Sequence, residues 1–207
     1  MIQRRKRNPT APPAGSRQHL RTAATRKALL AAAFKVFVRD GFEASRIEDI
    51  AAEAGRSRGA FYVNFCDKAE AFLALREQQL LTFHARIRNH LQGQATREEQ
   101  RQAVEDLFVE LVLEKSYLLL ELEFKLFSIR HPRLLKRVAK KHIGAKHEME
   151  ELRDILPKGD TFRVQQRTLS FEAILEGFAL NFAFDSEVMT REYLKSCVPH
   201  LARTVMG

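Results

Sequence analysis

Arg56, Ser57, Arg58, Gly59, Ala60, Tyr62, Asn64 and Lys68 fall in one short stretch of this 207-residue sequence, and their types suit contact with a polyanion. Guanidinium and ammonium groups pair with phosphate, free backbone amides at a helix start add donors, and small residues allow close backbone approach to base edges. Tyr62 and Asn64 supply uncharged donors. Catalytic chemistry has much thinner support. His147-Glu148-Met149-Glu150-Glu151 opens like a zinc-protease helix, but Glu151 stands where the second histidine ligand must be, so no metal site is expected there. Neither a glycine-rich phosphate loop after a strand nor a nucleophile elbow occurs, so no catalytic residue and no cofactor is expected.

Such a cluster needs a rigid mount, and the sequence supplies the signals of a helix-turn-helix. Ser45 with Glu48 three residues on has the spacing of a capping box ahead of Ile47, Ile50, Ala51 and Ala54. Gly55 ends that short helix, where a positive backbone dihedral is available to glycine, and small Ala51 allows a close crossing. Ser57 is expected to cap a helix from Arg58 to about Asn64, and Asp67 a longer one from Lys68 through Phe72, Leu75, Leu80 and Phe83 towards Leu91. Upstream, Leu29, Leu30, Ala33, Phe34, Phe37 and Val38 share one face of a helix from about Thr25, closed by Gly41. A plain three-helix packing core would give the same pattern; the local charge favours a binding role.

That charge is unevenly placed. The chain carries a net +9, and residues 1–70 hold +7 of it, with no acidic residue before Asp40. Residues 1–21, with Arg4-Arg5-Lys6-Arg7 and three prolines among the first thirteen residues, read as a flexible basic arm; 22–70 as the helix-turn-helix domain; and 71–207 as a second domain joined through the helix that begins at Lys68. Apolar stretches are broken by Glu, Lys or Arg, so no membrane partner is expected. An apolar stretch does not follow the basic start, and Cys66 and Cys197 are too few for a disulfide framework, which points to the cytoplasm, with residence on the nucleoid when bound to DNA.

Beyond Gly93 the apolar spacing predicts helices over about Arg97 to Glu114, Tyr117 to Arg130, Arg133 to Leu156, Thr161 to Phe184 and Thr190 to Val205. The fold class is therefore all-α, with about nine helices. Phe83, Phe108, Phe124, Phe127, Phe171 and Phe178 are either core or the lining of an effector cavity. Of Glu121 and Glu123 at most one is expected to point inward, and solvent exposure is the favoured expectation; an inward carboxylate would suit a cationic or hydroxylated ligand. Arg133, Lys136, Arg137, Lys140 and Lys141 form a basic stripe, read as a solvated face.

The ordered matches Thr25-Arg26, Leu29-Leu30, Ala32-Ala33, Phe37, Gly41-Phe42, Ile47-Glu48-Asp49-Ile50-Ala51, Ala54-Gly55, Ser57-Arg58-Gly59, Phe61-Tyr62, Phe65 and Asp67-Lys68 resemble the DNA-binding domain of the TetR family of bacterial transcriptional regulators. The resemblance implies a homodimer that reads a palindromic operator in double-stranded DNA through the helix after Gly55, and a C-terminal domain that binds a small-molecule effector. It adds Arg21, Ser45 and Arg46 to the expected DNA-binding set. The last two helices resemble the pair that forms the family's dimer bundle, through Ala173, Ile174, Gly177, Phe178, Leu194, Val198 and Leu201; packing within one chain is the alternative. Three departures stand out: Arg56 replaces an apolar residue, Arg46 a small hydroxyl residue, and Val63-Asn64 a Tyr-His pair, so phosphate contacts do not carry over to Val63. A ligand-independent architectural DNA-binding protein, or an enzyme or carrier built in the C-terminal bundle, are the rival functions.

Overall fold

The computed structural model describes residues 14–132 and 161–206. Among them it is helical throughout: α1 Ala14–Asp40, α2 Ile47–Glu53, α3 Arg58–Asn64, α4 Lys68–Leu91, α5 Arg97–Leu113, α6 Lys115–Arg130, α7 Thr161–Phe184 and α8 Arg191–Met206. The expected helix from Arg133, the basic stripe on it and the His147 motif lie outside the described residues, as does the side chain of Phe171. The chain forms two compact units, Met1–Leu75 and Arg76–Gly207, so the boundary falls inside α4.

In the first unit α1 packs on α2 and α3. Leu29, Ala33, Val36 and Phe37 of α1 meet Ile50 and Ala51 of α2, Phe61 of α3 and Phe72 of α4 in a core from which water is excluded. Phe37, Phe42 and Phe72 form a mutual ring cluster with centroids 4.7 to 5.5 Å apart, and Phe65 lies 5.4 Å from Phe61. Aromatic side chains bury large areas for few residues, which is how so short a domain acquires a core. Gly41 and Gly55 take φ of 78° and 60°, the left-handed region expected of a glycine at a helix end and in the turn.

Two expectations are corrected here. The first helix already begins at Ala14, inside the stretch read as an arm. Ser45 does not cap α2: Arg46 holds that position without a side-chain bond, while the buried Ser45 hydroxyl donates to the Phe42 carbonyl at 2.7 Å. The chain enters the helix one residue later than the Ser-x-x-Glu spacing suggests, and the hydroxyl closes the preceding turn instead. A capping box does form at Thr96 and Glu99, ahead of α5, on the same spacing.

The second unit is a bundle in which α5, α7 and α8 pack on one another and α6 packs on α5 and α7. Its core joins Ile87, Val104, Leu107, Phe108, Val112, Leu118, Ala179, Leu194, Val198 and Ala202, with Phe83 and Phe178 half-buried against it. Leu194 and Val198, expected at a dimer interface, are fully buried within one chain. Their i, i+4 spacing places them on the face of α8 turned towards its own bundle.

Candidate nucleic-acid interface

The turn between α2 and α3 is closed by backbone bonds from Gly55 N to Ala52 O and Arg56 N to Ala51 O, both 2.9 Å, and Ser57 caps α3 by accepting from Ala60 N at 3.2 Å. With Phe61 pinned in the core, the helix repeat sends Arg58, Gly59, Tyr62 and Val63 outward together. All four are exposed, as are Arg46 and Arg56 on the approach to the turn and Arg21 on α1. Arg56 therefore faces outward, and the turn needs no repacking to hold it.

Arg58 is the organised member of this face. Its Nη1 lies 2.9 Å from Glu48 Oε1, and its Nη2 donates to the Tyr62 hydroxyl at 3.3 Å with the guanidinium 5.5 Å from the ring centre. The hydrogen bond to Tyr62, aided by Glu48, holds its pKa above the ordinary arginine value. The guanidinium is thus steered without being buried. Arg46 sits 4.0 Å from Glu48, too far to fix it, and Arg56 has no ion pair among the described residues.

Two residues expected at DNA are used inside the protein instead. Lys68 Nζ donates to the carbonyls of Phe42, Glu43 and Ser45 at 2.5, 3.1 and 2.8 Å and lies 4.6 Å from the Phe42 ring centre. It closes the loop after α1 like a C-terminal cap supplied from α4, and its partial burial lowers its pKa. Asn64 turns back to donate from Nδ2 to Ala60 O at 2.8 Å. Ser45, buried as described, offers no side chain to phosphate either. All three lie in the right segment; burial and competing backbone acceptors decide their direction.

Arg26 was missed as a positioning residue. From α1 it donates to Asn64 O at 2.6 Å and stacks 4.2 Å from the Phe65 ring centre, so it ties down the end of α3. Its place near the polar edge of a helix gave no sign of a partner thirty-eight residues away. Lys35–Glu53, at 2.7 Å, similarly ties α1 to α2.

In the second unit Glu121 is buried, contrary to the favoured expectation, because Arg76 is buried beside it. The guanidinium Nη2 lies 3.0 Å from Oε1 and 2.8 Å from Oε2, and its carbon sits 5.4 Å from the Phe124 ring centre. Arg76 was not among the expected residues. Phe108, Phe124 and Phe127 are buried, while Ala173 is exposed and Ile174, Gly177, Phe178 and Leu201 are half-buried. Among the described residues no group of His, Cys, Asp and Glu could hold a metal ion, and no helix is long and apolar enough to cross a membrane.

Residues 29–75 match the model of bacterial regulatory proteins, tetR family. The fold is shared with solved structures at low identity. A transcriptional regulator from Streptomyces coelicolor A3(2) is 22% identical with a TM-score of 0.63, over 86% of this chain and 97% of that one. A transcriptional regulator from Rhodococcus sp. Rha1 is 19% identical with a TM-score of 0.66, over 87% and 95%. The regulator FadR from Bacillus subtilis, solved in complex with stearoyl-CoA, is 16% identical with a TM-score of 0.63, over 87% and 97%. No curated protein matches the chain in a sequence comparison.

Proposed function

We propose that the protein, whose residues 29–75 match the model of the tetR family of bacterial regulatory proteins, is a sequence-specific DNA-binding transcriptional regulator, a repressor that holds a palindromic operator as a homodimer and releases it when an effector binds. The observation that carries this reading is the outward face of α3. Arg58, Gly59, Tyr62 and Val63 are presented together by a helix whose opposite side is locked into an aromatic core, with Arg46 and Arg56 flanking it. A recognition helix in a major groove needs that combination of a fixed back and an exposed, cationic front.

Homodimerisation is supported by an apolar strip on α7, where Leu169, Ala173, Leu180 and Phe184 are exposed at helical spacing and Phe184 is 89% accessible. Gly177 on the same strip has no atom within 4 Å of an added Cβ, so a second helix can approach there. Isologous pairing of such a strip gives the two-fold symmetry that a palindrome requires. These features support an interface at Ala173, Ile174, Gly177 and the exposed positions beside them, with Leu194 and Val198 packed inside their own bundle.

For the effector we retain Phe83, Phe108, Glu121, Phe124, Phe127 and Phe178 and add Arg76. Arg76 Nε and Nη1, although buried, have no hydrogen-bond partner among the described residues, and donors so placed suit a polar group of a ligand. The acyl-CoA bound by the Bacillus subtilis regulator shows that this fold accepts a ligand with a long apolar part. An effector that prefers one dimer arrangement would shift the spacing of the two α3 helices away from half-sites about 34–36 Å apart.

The test is selection from a random duplex library with the purified protein, followed by competition against unrelated DNA at physiological salt. A specific regulator holds its selected duplex at least ~10³-fold more tightly than the competitor. Equal affinity for both would replace this reading with an architectural one.

A further inference from the structure

Val63 is 79% exposed, although it is a β-branched apolar residue on a helix of only seven residues whose other large apolar side chain, Phe61, is fully buried. Among the described residues of the first unit none covers its side chain. Its neighbours on the same face do have fixed positions: Arg58 is held by Glu48 and Tyr62, and Phe61 and Phe65 anchor the backbone on either side. Gly59 completes the face, and an added Cβ there would meet only Ser57 Oγ, at 3.7 Å. The protein's own packing does not demand a glycine at that position, so the room it leaves lies on the DNA side.

We propose that Val63 is a specificity-determining residue that reads the 5-methyl group of a thymine in the major groove, five residues along α3 from Arg58, which reads a guanine. The inference rests on the DNA-binding reading above and assigns bases within it. Thymine alone presents a methyl group in that groove, and it is the one apolar feature on a surface otherwise made of donors and acceptors. Guanine offers N7 and O6 to a forked guanidinium, which suits Arg58. Five residues of helix rise by roughly 7.5 Å. Base pairs rise by about 3.4 Å, which separates the two bases by about two steps. Asn64, the other candidate at the end of α3, is withdrawn by its bond to Ala60 O, and this leaves Val63 as the last side chain of the helix that reaches outward.

The experiment uses the full-length protein and the duplex it selects from a random library. Each thymine of the selected half-site is replaced in turn by deoxyuridine, which deletes the methyl group and alters nothing else in base pairing. At one position per half-site, wild-type affinity falls about fourfold, or about 15-fold when both half-sites are changed, as expected for one buried methyl each. Val63→Ala loses a similar factor on the thymine duplex and shows no further loss on the deoxyuridine duplex. Its thermal midpoint stays at the wild-type value, because the side chain is exposed, so a folding defect is separated from a lost contact. Wild-type binding indifferent to deoxyuridine everywhere, or a deoxyuridine effect that persists in Val63→Ala, overturns the assignment while leaving sequence-specific binding intact. A wild type that selects no duplex at all overturns the functional reading and this one with it.

Discussion

The two units place charge and apolar surface in opposite ways. In the first, aromatic rings are inside, and the cations either face outward, as Arg46, Arg56 and Arg58 do, or tie down backbone carbonyls at the rim, as Lys68 and Arg26 do. In the second, a charge pair is inside, Arg76 with Glu121, while Leu169, Leu180 and Phe184 are left outside. The first arrangement is complete as one chain and its exposed groups suit a polyanion. The second leaves apolar area in water and charge in the core, each of which costs free energy unless something else compensates. The difference separates the two units under the proposed function: the first would meet DNA as folded, while the second would be completed by a second copy on its surface and an effector in its interior.

The buried pair offers the largest test of this contrast. Glu121→Leu leaves a guanidinium unpaired in the core and is expected to destabilise the second unit by about 3–5 kcal/mol in chemical denaturation, whereas the double variant Arg76→Met, Glu121→Leu is expected to recover most of that loss. Should the single variant be nearly neutral, the second unit does not bury its charge as described. The two units can unfold separately, so the transition must be followed by probes in each.

Leu180→Glu addresses the apolar strip. Burying a leucine is worth about 1.5–3 kcal/mol, so placing a carboxylate at both symmetric copies is expected to raise the dimer dissociation constant by roughly 100-fold or more, read by sedimentation at graded concentration. A variant that remains dimeric would move the interface elsewhere on the second unit.

Lys68→Met tests the rim of the first unit. It removes a charged donor from three carbonyls while keeping the apolar stem over Phe42, and a loss of about 2 kcal/mol is expected, in line with hydrogen bonds to a charged group. If Lys68 instead met only phosphate, stability would be unchanged and the salt dependence of DNA binding alone would flatten.

The smallest effect is at Glu99. Its carboxylate accepts backbone bonds from Thr96 and Ala95, which hold its pKa below the usual value of 4.5. A depressed carboxylate contributes stability that is present above its unfolded pKa and is lost as pH falls through the folded one. Glu99→Gln should therefore lower the stability of the second unit slightly at neutral pH and flatten its decline below about pH 4.5, variant and wild type converging in acid.

Much of this was written locally. Gly41, Gly55 and the Ser57 cap fix the first unit's helix boundaries through backbone requirements that depend on a few adjacent residues, and the apolar repeat from Leu29 to Phe37 names its own buried face. The outward pair Arg58 and Tyr62 was likewise legible, because Phe61 between them is a core residue by type and the helix repeat does the rest. What the sequence alone determined was the class of elements, their order, and the segment that carries the exposed cationic face.

Only the tertiary structure decided direction. Ser45, Lys68 and Asn64 carry the right donors in the right segment, yet each is drawn to a backbone carbonyl that folding brings within reach: Phe42 O for Ser45 and Lys68, and Ala60 O for Asn64. Leu194 and Val198 have the same apolar character as Leu180, and their burial depends on which face of α8 meets the bundle. Glu121 reads as a surface residue until Arg76, forty-five positions earlier, is placed beside it. A hydrogen bond or an ion pair is a short-range interaction between groups that may lie far apart in the chain, so the identity of a side chain states what it can bind and only the fold supplies what it does bind.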